Sequence, residues 1–126
     1  WVQFSADSVG NAGQDGAVSL VIEGQLATDA ETFSSDGLSV SLRPKTTASV
    51  VWDVPVWTAT HVMGPDERTP DISSIIQEIV NQAGWAGEAI VLMFSDNPAN
   101  PSQGYREAES VDGEADEAPL LHISFE

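Results

Sequence analysis

Two segments in which apolar and polar residues alternate constrain the fold of this chain more than any other feature. In residues 17–23, apolar side chains such as Val18 and Ile22 alternate with polar ones. Residues 46–54 show the same alternation, with Trp52 among the apolar positions. A period of two is typical of a β-strand that buries one face and exposes the other. The pattern therefore predicts strands at both places.

Two further segments favour strands. Residues 89–94 form an uninterrupted apolar run, which is short enough to be a strand covered on both faces. Residues 119–125 place Leu121, Ile123 and Phe125 on one face, so we expect a final strand there. Stretches rich in glycine, proline, asparagine and aspartate separate these strands and predict turns.

One segment has the period of an amphipathic helix instead. Its apolar stripe consists of Ile72, Ile75, Ile76, Ile79, Val80 and Ala83. Gly84 lies where a residue of left-handed conformation usually ends a helix. The sequence thus predicts an all-β fold, mainly an antiparallel β-sandwich of jelly-roll type, with one short α-helix at about 71–83. We expect residues 1–126 to form a single module.

The charge of the chain excludes several classes of partner. The chain has twenty acidic and four basic residues, which gives a formal net charge of -16. Such a surface has no basic stripe for phosphates and is repelled by anionic membranes, so we expect neither a nucleic-acid nor a membrane partner. Strong acidity suits salty water, where ions screen self-repulsion. There is no cysteine, so thiolate metal sites and cysteine nucleophiles are excluded as well.

Several blocks of the sequence resemble a known family of modules. The blocks are Arg43-Pro44, 50–57 (VVWDVPVW), 69–80 (TPDISSIIQEIV), 81–92 (NQAGWAGEAIVL), 106–110 (REAES) and 118–123 (APLLHI). Together they resemble the DNRLRE β-sandwich modules, which are related to a carbohydrate-binding module family and recur in large secreted proteins of marine bacteria.

The resemblance implies a function as well as a fold. It implies a non-catalytic, extracellular binding or attachment module of a larger secreted or cell-surface protein, in a marine or saline setting. The expected partner is a polysaccharide or another cell-surface component. Complete modules of this kind have further strands ahead of the one matching residues 1–5, so an alternative is a self-associating subunit of a surface filament or adhesin. Neighbouring copies would then complete the sheet by strand addition.

Four residues are candidates for contact with such a ligand. Trp57 and Tyr105 have flat rings that sugar C–H groups can cover, although Trp57, at the end of a strand, is equally suited to closing the core. Arg43 and Arg106 are notable because basic residues are scarce here; each can pair with nearby carboxylates or contact a ligand.

Catalysis is not expected, and calcium is the inorganic ligand that the sequence favours. No catalytic motif is present, and His61 and His122 are interpreted as structural residues. Calcium requires several oxygen ligands, which clustered acidic side chains in a loop can supply, although a solvated acidic loop has the same composition. The candidate ligands are Asp112, Glu114 and Asp116 in one loop and Asp7 and Asp15 in another.

Overall fold

Regular structure in this chain is mostly short strands. The computed structural model describes residues 1–35 and 38–125. In chain order the elements are β1 (Val2–Gln3), β2 (Ala6–Ser8), β3 (Val18–Gln25), β4 (Lys45–Val54), α1 (Ser73–Val80), β5 (Leu92–Asp96), β6 (Glu107–Ala108), a 3-10 turn (Ala115–Glu117) and β7 (Leu120–Leu121). Within the described residues, the predicted all-β fold with one short α-helix is therefore confirmed.

The strands pair in three sheets. Strand β1 pairs antiparallel with β7, where Val2 lies opposite Leu121. Strand β2 pairs antiparallel with β6, where Ala6 lies opposite Ala108. The third sheet has the order β4-β3-β5, so β3 is its central strand.

The chain packs into two compact units. The first unit comprises Trp1–Leu20, Val51–Asp71 and 96–125, and the second comprises Val21–Val50 and Ile72–Ser95. Each unit has its own buried apolar side chains. Whether both belong to one module, as the sequence predicts, stays a prediction.

Tryptophan side chains dominate the core of the first unit. Trp52 and Trp57 are each 5% exposed, and Val54 between them is buried as well. The ring of Phe4 stacks on Trp52 with 5.7 Å between the centroids. The alternation predicted for β4 is confirmed here, because Trp52 and Val54 are buried while Asp53 is exposed.

In the second unit the helix packs directly on a glycine of β3. Ile75 and Ile79 are fully buried, and a Cβ atom on Gly24 would lie 2.6 Å from the Cδ1 of Ile79 and 2.8 Å from the Cγ2 of Ile75. The isoleucines therefore occupy the space that a side chain on β3 would otherwise fill. The predicted apolar stripe is confirmed at these two positions and at Ile72, which is 1% exposed just before the helix, whereas Ala83 lies beyond the end of the helix and is exposed.

Glu78 joins the same helix to β4. One carboxylate oxygen accepts a hydrogen bond from the backbone N–H of Thr47 at 2.8 Å, and the other accepts one from the N–H of Ala48 at 2.7 Å. These two hydrogen bonds hold the pKa of Glu78 below its ordinary value, and the one from Ala48 has the larger effect.

We expect Glu78→Gln to destabilise the protein in a pH-dependent way. Since the folded state lowers this pKa, the ionised carboxylate stabilises the fold fully above its ordinary value of 4.5, and this stabilisation is lost as the pH falls through the folded-state pKa. Denaturant unfolding of wild type and Glu78→Gln over a pH series should show a difference that closes in acid. Glu88→Gln, an exposed substitution in the same unit, is the control; a difference independent of pH would contradict the prediction.

Three details of the predicted strands are wrong. Strand β5 begins only at Leu92, and Phe94 is 37% exposed, so the run at 89–94 is neither all strand nor covered on both faces. The predicted strand at 119–125 is observed only at Leu120–Leu121, and after it the backbone of His122 exchanges hydrogen bonds with that of Trp1 at 2.9 and 3.2 Å. Ser19, expected on a solvent face, is 3% exposed, and its hydroxyl donates to Asp53 at 2.7 Å and accepts from Asn97 at 3.1 Å.

Candidate functional site

Three of the four predicted ligand residues meet at one loop of the first unit, residues 9–16, here called the 9–16 loop. The backbone N–H of Tyr105 donates to the carbonyl oxygen of Gly13 at 3.2 Å. The Tyr105 ring covers Gly13, where an added Cβ would lie 3.1 Å from the ring and the φ angle is +93°. Because a side chain at this position would be strained and would strike the ring, glycine lets Tyr105 rest on the loop with 41% of its surface exposed.

Arg106 holds the same loop in place. Its guanidinium donates to the carbonyl oxygens of Gln14 at 2.6 Å and Gly16 at 3.1 Å, and to that of Tyr105 at 2.8 Å. Further hydrogen bonds reach the carbonyl oxygens of Pro55 and Val54 at the end of β4. Partial burial lowers the pKa of Arg106. Its partners are carbonyl oxygens rather than the carboxylates that the sequence suggested, so this arginine positions the loop.

Trp57 closes the core and lines a cavity beside the loop. Its indole N–H donates to the carbonyl oxygen of Asp66 at 3.0 Å, and only 5% of the side chain is exposed. Of the two roles that the sequence left open, this placement favours the core. The cavity has a volume of about 400 Å³, and its lining includes Asn11, Asp15 and Thr58.

Arg43, the fourth predicted ligand residue, belongs to the second unit. Its guanidinium donates to the carbonyl oxygens of Glu31 and Thr32 and to the side chain of Gln25, and it lies 4.1 Å from the centre of the Phe33 ring. These contacts hold the segment around residues 31–33. The structure therefore does not bring Arg43 together with the other three predicted residues.

The acidic residues predicted as calcium ligands are exposed. They are Asp7, Asp15, Asp112, Glu114 and Asp116. Among the described residues, a group of metal-ligating side chains forms elsewhere in the first unit: His61, Glu109 and Glu117 place one ligand atom each within 4.8 Å of one another. We call this group the His61 cluster.

Strand β2 and the residue before it position all three members of the His61 cluster. Ser5, fully buried, donates its hydroxyl to Glu117 at 2.7 Å, and its carbonyl oxygen accepts the backbone N–H of Glu109 at 3.0 Å. The carbonyl oxygen of Ala6 accepts the backbone N–H of His61 at 2.9 Å. One short segment thus fixes the backbone or the side chain of each cluster residue.

Hydrogen bonds and charge bias the protonation of the cluster. His61 Nδ1 lies 2.9 Å from a carboxylate oxygen of Glu117, and this hydrogen bond raises the pKa of His61, with smaller contributions from the charges of Glu109 and Glu114. The hydroxyl of Ser5, followed by His61, lowers the pKa of Glu117. His122, by contrast, stacks on Trp1 with 5.2 Å between the ring centroids.

Sequence reasoning missed the His61 cluster, although it singled out the acidic loop that contains Glu117. His61 lies far along the chain from Glu109 and Glu117, and the three residues form no local spacing motif. In the structure His61 is distinguished by a φ angle of +57°, which is uncommon for a residue other than glycine. This angle cannot be read from a sequence.

Comparisons with known proteins do not add to this description. Searches against protein-family models, curated proteins and solved structures found no match. No helix among the described residues is long and apolar enough to cross a lipid bilayer. The functional interpretation therefore depends on the residues of the 9–16 loop and of the His61 cluster.

Proposed function

We propose that this chain is a non-catalytic attachment module that binds a neutral polysaccharide at the 9–16 loop. The main observation behind the proposal is the exposed ring of Tyr105, which rests on Gly13 of the 9–16 loop. Other residues of this loop line the cavity beside Trp57. The sequence resemblance to DNRLRE modules favours the same function, and with it an extracellular location in a saline setting.

The chemistry of the loop suits a sugar. An exposed aromatic face covers the apolar C–H side of a pyranose ring, while the hydroxyl groups need polar partners at its edge. Asn11, Asp15 and Thr58 supply amide, carboxylate and hydroxyl groups at the cavity. A volume of about 400 Å³ lies within the range of small-molecule sites and is large enough for a sugar unit.

Charge narrows the class of polysaccharide. The net charge of -16 repels polyanions, and Asp15 places a carboxylate at the cavity itself. A neutral chain avoids this repulsion and still offers hydroxyl groups to the acidic side chains. We therefore expect neutral glucans or mannans to bind better than polymers of uronic acids.

We expect Tyr105→Ala to weaken polysaccharide binding by about tenfold or more, because it removes the exposed stacking surface. Affinity electrophoresis or pull-down with a β-glucan, an α-glucan, a mannan and a polyuronate measures the effect. Phe125→Ala removes a ring that is 92% exposed in the same unit, and it should leave binding unchanged.

Two results would overturn the proposal. One is wild-type protein that binds none of the neutral polymers, and the other is a folded Tyr105→Ala variant that binds as well as wild type. Thermal unfolding followed by circular dichroism shows whether the variant is folded. Turnover of a polymer by the wild-type chain would contradict the non-catalytic role.

A second candidate function is self-association, and the final strand favours it. Strand β7 pairs with β1 in a sheet that has two strands within the described chain, so one edge of β7 is open. Leu120 and Ile123 are 52% and 53% exposed beside it. An open edge with exposed apolar side chains is suited to pairing with another strand. Oligomers that grow with protein concentration in sedimentation experiments would favour this function.

A further inference from the structure

We infer that the His61 cluster is a binding site for a divalent transition-metal ion of the zinc class. Its members are His61 in a loop, Glu109 directly after β6, and Glu117 at the end of the 3-10 turn. An imidazole and two carboxylates are a donor set that zinc accepts. This inference uses none of the residues of the 9–16 loop and is independent of the proposed attachment function.

The distances fit such an ion after small side-chain movements. Zinc binds nitrogen and oxygen ligands at about 2.1 Å, which places tetrahedral ligand atoms about 3.4 Å apart. The three ligand atoms already lie within 4.8 Å of one another, and His61 Nδ1 and the Glu117 oxygen are 2.9 Å apart. Rotamer changes that move the ligand atoms of Glu109 and His61 by about 1–2 Å would bring the three atoms to the required spacing.

The buried carboxylate of Glu109 is an independent observation that points to a cation. Glu109 is 8% exposed, and its carboxylate accepts one backbone hydrogen bond, from Glu114, at the long distance of 3.3 Å. Its ligand atom lies within 4.8 Å of that of Glu117, and the described ion pair of the cluster joins His61 to Glu117 rather than to Glu109. Two close carboxylates repel each other, and a buried charge is costly unless it is compensated. A divalent ion between them removes both costs.

The surrounding residues hold the ligands as a metal site requires. The hydroxyl of Ser5 orients Glu117, and the backbone N–H of Glu114 orients Glu109. The backbone N–H of His61 is bound to Ala6, which holds the loop at its positive φ angle. Such partners fix the rotamers of metal ligands and raise affinity. The cluster is thus held by the fully buried residues Ser5 and Ala6 and by the backbone of Glu114.

The donor set selects the class of ion. Calcium prefers six to eight oxygen ligands, whereas an imidazole nitrogen is a ligand for zinc and its transition-metal neighbours. The calcium predicted at Asp112 and its neighbours would use oxygen ligands alone. Three protein ligands leave a coordination position for a water molecule or for an oxygen atom of a bound partner.

The first experiment is a titration of the wild-type chain, stripped of metal with EDTA and dialysed, with ZnCl₂, CaCl₂ and MgCl₂ in a calorimeter. We expect one zinc ion per chain and much weaker binding of calcium and magnesium. Zinc at a hundred times its dissociation constant should raise the melting temperature by roughly 5 to 10 °C. In NMR spectra, zinc should shift the ring resonances of His61 and leave those of His122 in place.

Variants assign the ligands. His61→Asn removes the imidazole but keeps a residue that tolerates a positive φ angle, and Glu109→Gln removes one carboxylate charge with little change of shape. Each should weaken zinc binding by at least about tenfold. Asp112→Asn is the control, because this side chain is exposed and outside the cluster; it should change the affinity less than about twofold.

Three outcomes would overturn the inference. The first is no zinc binding by the wild type, which would leave His61 and Glu117 as a hydrogen-bonded pair only. The second is zinc binding that the folded His61→Asn and Glu109→Gln variants retain. The third is calcium binding tighter than zinc binding and lost in Asp112→Asn, which would place the ion in the acidic loop. If the variants fail to fold, the NMR spectra of the wild type still test the inference: zinc that leaves the His61 ring resonances unchanged would contradict it.

Discussion

Replacing Gly24 by valine is expected to lower the free energy of unfolding by about 3 kcal/mol, because the helix leaves no room for a side chain on β3. The Cβ atom alone would lie 2.6 Å from the Cδ1 of Ile79, 2.8 Å from the Cγ2 of Ile75 and 3.2 Å from the Cγ2 of Thr46. These atoms belong to a packed core that cannot expand without moving the helix. Urea unfolding of wild type and variant measures the effect.

A double-mutant cycle tests the proposed cause. Gly24→Ala should cost less than valine but still destabilise, and Ile79→Val, which deletes the Cδ1 atom, costs about 1 kcal/mol by itself. If the clash is the cause, Ile79→Val should cost less in the Gly24→Ala background than in the wild type. Ala83→Val enlarges an exposed residue of the same unit and should change the stability little. Additive effects in the cycle would contradict this explanation.

Replacing Arg106 by glutamine is expected to cost about 3 kcal/mol and to loosen the 9–16 loop. The guanidinium binds the carbonyl oxygens of Gln14, Gly16, Pro55 and Val54, and these acceptors lose their charged donor in the variant. Glutamine has one amide group and cannot reach all of them. Chemical denaturation measures the loss of stability, and hydrogen exchange of the loop amides measures the local opening.

Two comparisons separate geometry from charge at this position. Arg106→Lys retains the positive charge but not the planar set of donors, so we expect it to lose most of the same stability. Lys45→Gln removes a positive charge from an exposed pair with Glu23 and should cost about 0.5 kcal/mol or less. If Arg106→Lys were as stable as wild type, the net charge rather than the carbonyl contacts would explain the role of Arg106.

Local patterns predicted the elements that bury one face. In β4 the alternation of apolar and polar residues matches the observed burial of Trp52 and Val54, and in α1 the helical period matches the burial of Ile75 and Ile79. Both patterns work because each element packs on one side only. The prediction was wrong about the length of the final strand, because how far a strand pairs depends on a partner that is distant in sequence.

The candidate sites were predictable to different degrees. Tyr105 and Arg106 could be chosen from their residue types, but only the structure shows that the first rests on Gly13 while the second binds carbonyl oxygens. The His61 cluster had no predictive pattern, because it depends on three segments that meet at Ser5 and Ala6. A resemblance to known modules suggests a function, whereas the positions of functional groups depend on long-range contacts.

The sequence alone determines the strand and helix periods and the strongly acidic net charge, because these depend on residue types and on spacing along the chain. Tertiary structure alone decided which glycine receives the helix, which arginine holds the 9–16 loop, and which carboxylates meet His61. The reason is physical: these features arise where residues distant in sequence come into contact, and such contacts are selected by packing of the whole chain rather than by local preference.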